Sequence, residues 1–121
     1  MKPAHIRLVC IVAIALPGAY AFGQTGELII VPSDSFAHYW VVEGKRTNPA
    51  VVEILTRREG TSATIFALRQ IDCAARTFRT LGQGDNLEKA KSNNVELSAL
   101  DPLTEGSISS SLADYACANF R

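Results

Sequence analysis

The fold turns on residues 63–81, Ala63-Thr-Ile-Phe-Ala-Leu-Arg-Gln-Ile-Asp-Cys73-Ala-Ala-Arg-Thr-Phe-Arg-Thr-Leu81. Ile65, Ile71 and Cys73 share one parity while Phe66 and Leu68 fall on the other, so residues 63–73 predict a long β-strand. Ala74-Ala75 predicts a tight turn, after which residues 77–81 run back beside the first arm. The predicted unit is an antiparallel hairpin with the Cys73 sulfur on the isoleucine face.

Working toward the N-terminus, residues 27–62 repeat the theme in short β-branched and aromatic runs broken by turn formers. Four or five antiparallel strands are expected between Glu27 and Leu81. Residues 28–31 are closed by Pro32-Ser33-Asp34-Ser35. Residues 38–43 place Tyr39 and Val41 on one face and Trp40 and Val42 on the other. A polar turn is expected over residues 44–49. Residues 51–58 then alternate Val52, Ile54 and Thr56 against Val51, Glu53 and Leu55.

Toward the C-terminus, Gly82-Gln83-Gly84-Asp85-Asn86 predicts an exposed loop. Residues 86–101 leave two readings open: an edge strand through Val95, Leu97 and Leu100, or an irregular packed segment after a polar loop at residues 89–94. Beyond Pro102 and Gly106 the period changes. Ser107 is a helix-capping residue, and Ile108, Leu112, Tyr115, Ala116 and Phe120 recur at helical spacing with Cys117 at the stripe's edge. The predicted class is α+β, an antiparallel meander packed against a C-terminal helix.

The first 21 residues read as a cleavable signal peptide. Lys2, His5 and Arg7 precede an uncharged apolar run over residues 8–16, too short for a membrane span, and Ala19-Tyr20-Ala21 offers the small residues of a cleavage site. Cys10 lacks the preceding Leu-x-Ala/Gly context of a lipid-modified cysteine. The remaining residues 22–121 make one domain, with no membrane insertion after cleavage. Removing Lys2 and Arg7 from a formally neutral chain leaves −2, a balance that argues against a nucleic-acid partner.

Without Cys10, Cys73 and Cys117 are the only thiols, and an oxidising compartment makes them a disulfide. Closing a loop of about 45 residues stabilises the fold by about 4 kcal/mol. No second cysteine or histidine cluster stands close enough in sequence for a metal or redox site, and no cofactor is implied.

Catalytic constellations are hard to assemble from what is left. His38, the histidine outside the signal segment, sits in an alternating strand and reads as a half-buried sheet position. Glu27, Asp34, Asp72, Asp101 and Asp114 are scattered, and Gly82-Gln83-Gly84 lacks the context of a nucleotide loop. The expectation is therefore not an enzyme. Arg57, Arg58, Arg69, Arg76 and Arg79 either gather on one sheet face as a cationic strip or stand apart as solvated partners of Glu53, Glu59 and Asp72. A strip would suit an acidic partner.

Three motifs carry a family resemblance: Tyr39-Trp40-Val41-Val42, the run from Arg69 through Asp72-Cys73-Ala74-Ala75-Arg76-Thr77-Phe78-Arg79, and Gly106-Ser107 to Tyr115-Ala116-Cys117. Together they resemble the bacterial surface-adhesin protein E family over residues 36–119. The resemblance implies an antiparallel sheet backed by a helix, stapled from Cys73 to Cys117, in an exported non-enzymatic protein that binds an extracellular or envelope protein or glycan. Arg69, Arg76 and Arg79 are the expected partner contacts. The missing lipid-attachment cysteine departs from surface display, and the alternative is a soluble periplasmic inhibitor or accessory factor of an envelope enzyme or complex.

Overall fold

In the computed structural model, residues 26–96 and 100–121 are described. The signal-peptide reading and the placement of Leu97 fall outside them. Six strands follow one another in space as in sequence, β1 (Glu27–Ile29), β2 (His38–Arg46), β3 (Val51–Glu59), β4 (Thr64–Asp72), β5 (Thr77–Gly84) and β6 (Asp101–Pro102), every neighbour antiparallel. Among the described residues there are also two α-helices, α1 (Leu87–Lys91) and α2 (Ile108–Asn119). The expected α+β meander with a C-terminal helix is the architecture observed.

One face of the sheet carries the principal core. Val41, Val52, Ile54 and Ile71, all fully buried, pack with Leu112, Ala113, Ala116 and Phe120 of α2. The helix begins at Ser107, whose Oγ accepts the Ser110 N–H at 3.1 Å. At its other end Arg46 donates from Nε to the Phe120 carbonyl (2.8 Å) and from Nη2 to the Cys117 carbonyl (3.2 Å), satisfying groups a helix terminus leaves open. The Cys73–Cys117 disulfide, with Cα atoms 5.8 Å apart, ties α2 to the end of β4.

The β4–β5 turn forms where the sequence placed it. Asp72 Oδ1 accepts from the Ala74 and Ala75 N–H groups at 3.0 and 2.8 Å, and Arg76 closes the turn at φ 57°.

Four expectations need correcting. The chain does not turn at Gly44: β2 continues to Arg46 after a bulge at Val42, which slips the pairing from Val41↔Thr56 to Glu43↔Leu55. Gly44 then lies beneath the Phe120 ring, where a Cβ would stand 2.3 Å from Cζ. Of the loop expected at residues 82–86, residues 82–84 are instead the end of β5, with Gly82 and Gly84 inside the sheet, and only Asp85 and Asn86 lie outside it. Residues 89–94, expected as a loop, begin inside α1, a single helical turn capped by Asn86 Oδ1 on the Lys89 N–H at 2.9 Å. Helix α1 packs on the sheet face opposite α2, burying Ala90 and reaching Glu43 through Lys91 at 2.8 Å. The edge strand offered through Val95, Leu97 and Leu100 is not found at Val95 or Leu100; the last strand, β6, is confined to Asp101–Pro102.

Candidate functional site

Helix α2 covers only part of its sheet face. Beyond its first turn, register lines up three rows of side chains from the central strands. Tyr39, Arg58 and Ile65 form one row, Thr56, Ala67 and Gln83 the next, and Ile54, Arg69 and Thr80 the third. With Ile108 and Ser109 of α2 and Asp34 from the 3-10 turn Pro32–Asp34, members of these rows line a cavity of about 380 Å³.

Asp34 anchors one wall. Its Oδ2 accepts from Tyr39 Oη at 2.6 Å and from Arg58 Nε at 2.8 Å, and Arg58 Nε also reaches Tyr39 Oη at 3.0 Å. The Arg58 guanidinium, helped by the Tyr39 hydroxyl, holds the Asp34 carboxyl below the ordinary carboxylate range, while burial and then Asp34 push Tyr39 up. Asp34 also raises Arg58, so all three groups keep their usual charges near neutral pH. The pair is internally neutral.

Arg69 stands on the facing wall without such a partner. It donates from Nη1 to Thr56 Oγ1 at 2.7 Å, and Thr56 Oγ1 in turn reaches the Ala67 carbonyl at 3.4 Å. Among the described residues no carboxylate lies within ion-pair distance of Arg69. The residue is half-buried, and that desolvation, with no counter-charge beside it, lowers its pKa. The Ile108–Ser109 end of α2, where the helix dipole is positive, borders the same space. The cavity therefore carries one net positive charge against walls of Ile65, Ala67 and Ile108.

The other expected contact residues lie elsewhere. Arg76 sits in the β4–β5 turn and pairs with Asp114 of α2 at 2.9 Å. Arg79 faces the opposite side of the sheet, where its Nε donates to Gln70 Oε1 at 2.8 Å. The two do not join Arg69 in a strip. Arg57 leans over the Trp40 ring at 4.3 Å and pairs with Glu59 at 3.3 Å, also on that opposite side. His38 is exposed rather than half-buried, tilts against Trp40 at 5.9 Å between ring centroids, and shares no face with the cavity. Among the described residues no group of three or more His, Cys, Asp or Glu side chains is placed to hold a metal.

Sequence reasoning missed Asp34, Tyr39, Thr56, Gln83 and Ser109 as a set, and it placed Arg58 only at the end of a strand. The one signal pointing to them is parity: Thr56 and Arg58 alternate with Ile54 on the core side, which makes a buried polar pair a question to ask. The chain matches no protein-family model, no curated protein and no solved structure with which it was compared.

Proposed function

We propose that this chain is an exported, non-enzymatic binding module of the surface-adhesin protein E type, gripping an acidic group of an extracellular or envelope protein or glycan in the cavity around Arg69. The observation that carries the reading is the Arg69 guanidinium, lowered in pKa by burial, in a cavity whose lining carboxylate is already taken by Arg58. A cation in that position costs stability unless something anionic meets it. The disulfide is compatible with an oxidising, exported setting, and no helix among the described residues is long and apolar enough to cross a membrane.

The test is saturable binding of the purified, oxidised protein to immobilised matrix proteins and envelope polysaccharide at low and high salt. Binding that weakens with salt and is lost in Arg69→Gln is the expected result. Absence of binding above background, or binding that Arg69→Gln leaves intact, overturns the proposal.

A further inference from the structure

The lining distinguishes among acidic groups. Resting on the reading just given, we infer that the cavity takes the carboxylate of an acidic sugar, a monoanion carried on a hydroxylated ring, through the free edge of Arg69.

Geometry comes first. Thr56 occupies Nη1 of Arg69, which leaves the Nε and Nη2 donors side by side along the other edge of the guanidinium. Two parallel N–H groups match the two oxygens of a carboxylate. Charge comes second. Asp34 and Arg58 cancel, so Arg69 contributes a single positive charge. A carboxylate neutralises it, whereas a phosphate monoester, at about −1.5 to −2 near neutral pH, leaves excess negative charge beside the ionised Asp34.

The rest of the lining selects what carries the carboxylate. Asp34 Oδ2 takes both of that residue's hydrogen bonds, so Oδ1 stays open as an acceptor; Gln83 and Ser109 add side-chain donors and acceptors. Ile65, Ala67 and Ile108 supply apolar wall for C–H faces. About 380 Å³ lies at the small end of the roughly 300–1,000 Å³ range of ligand sites, suited to one ring. A peptide is poorly served, because it would look for unpaired backbone. None of the lining strands is an open edge: β1 covers β2 at Tyr39, and the outward N–H and carbonyl of Gln83 are taken by the Asn94 side chain at 2.9 and 2.8 Å.

The experiment titrates four probes into the oxidised protein while following the Arg69 Nε–H and the Thr56, Gln83 and Ser109 amide signals by NMR. Methyl glucuronide is expected to shift them saturably, and methyl glucoside to bind at least about tenfold more weakly for want of the charged hydrogen bonds. Glucose 6-phosphate binding as tightly as the glucuronide overturns the monoanion inference but leaves an anion-binding cavity standing. Tighter binding of N-acetylglutamate amide overturns the sugar and leaves a carboxylate site. If no anion moves the Arg69 signal, both the inference and the proposed function fall. Arg69→Gln and, in case it does not fold, Ser109→Tyr, which adds bulk to the lining, are each expected to reduce glucuronide affinity by about tenfold or more, and an undiminished affinity in a folded variant overturns the site.

Discussion

Gly82 offers the sharpest check on the structure, because the loop and strand readings of residues 82–86 give opposite outcomes for Gly82→Ala. In a solvated loop the change is neutral or slightly stabilising, since alanine narrows the unfolded ensemble. In the structure the added Cβ stands 1.9 Å from the Ala90 carbonyl oxygen, 2.9 Å from its carbon and 3.2 Å from the Asn93 nitrogen. The first distance is about 1.5 Å short of ordinary contact, and the obstacle is backbone, which no rotamer change removes.

Relief requires α1 to lift from the sheet. That strains the Val95 N–H bond to the Leu81 carbonyl (3.1 Å), the Gln83–Asn94 pair and the Lys91–Glu43 bridge, and opens Ala90 to water. Overpacking of this kind costs about 3 kcal/mol, and replacing a strand glycine returns about 0.5–1 kcal/mol, for a net loss near ~2 kcal/mol. Urea unfolding followed by circular dichroism should show the midpoint falling by about 1 M, with hydrogen exchange accelerating first in α1 and β5. A midpoint within about 0.3 M of the parent would refute the close packing of α1 on β5.

Removing the staple as Cys73→Ala with Cys117→Ala is expected to lower stability by about 4 kcal/mol for a separation of 44 residues, read as a urea midpoint against the oxidised parent; a loss under about 1 kcal/mol contradicts its role. Arg69→Met is expected to leave thermal stability unchanged or raise it, since it removes a half-buried charge that has no carboxylate partner while Thr56 keeps its bond to the Ala67 carbonyl; a fall in Tm above about 5 °C would make Arg69 a structural residue. Tyr115, its hydroxyl bonded to Glu27, is pushed up to about 12 by burial first and Glu27 second. A raised folded value means its contribution is whole below about pH 10 and disappears as pH climbs through about 12, so Tyr115→Phe should flatten the alkaline end of the stability profile. Asp34, held low by Arg58, works in the other direction: its contribution is present above the ordinary aspartate value of about 3.9 and is lost as pH falls through its depressed folded value, so Asp34→Asn should flatten the acid end.

Strand existence and face were legible wherever alternation runs unbroken. Residues 63–73 and 51–58 announce their core sides through Ile71, Val52 and Ile54, each fully buried, and the α2 stripe from Ile108 to Phe120 announces its own. Glycine misled twice for one physical reason. Gly44 and Gly82 look like punctuation in a linear pattern, yet each occupies a strand where another element approaches too closely for a side chain, the Phe120 ring in one case and the Ala90 carbonyl in the other. Helix α1 escaped notice because five residues are too few to show a period, leaving the Asn86 cap as its local sign.

The candidate site was illegible for a different reason. Tyr39 and Arg58 face each other only after the β2–β3 register is known, and the Val42 bulge makes that register impossible to count inward from the turn, because one residue of β2 has no partner. Asp34 lies 24 residues from Arg58 in a segment whose sequence shows only a turn. Composition likewise hides Arg69, since Arg57 pairs with Glu59, Arg58 with Asp34 and Arg76 with Asp114, while Arg79 bonds the Gln70 amide and Arg46 the Phe120 and Cys117 carbonyls. A near-neutral chain can thus set a cation without a carboxylate partner in a cavity, and the site follows from that local imbalance rather than from any motif. Position separates the three arginines first set together: Arg76 is paired with Asp114, Arg79 lies on the opposite sheet face beside Gln70, and Arg69 alone of the three lines the cavity.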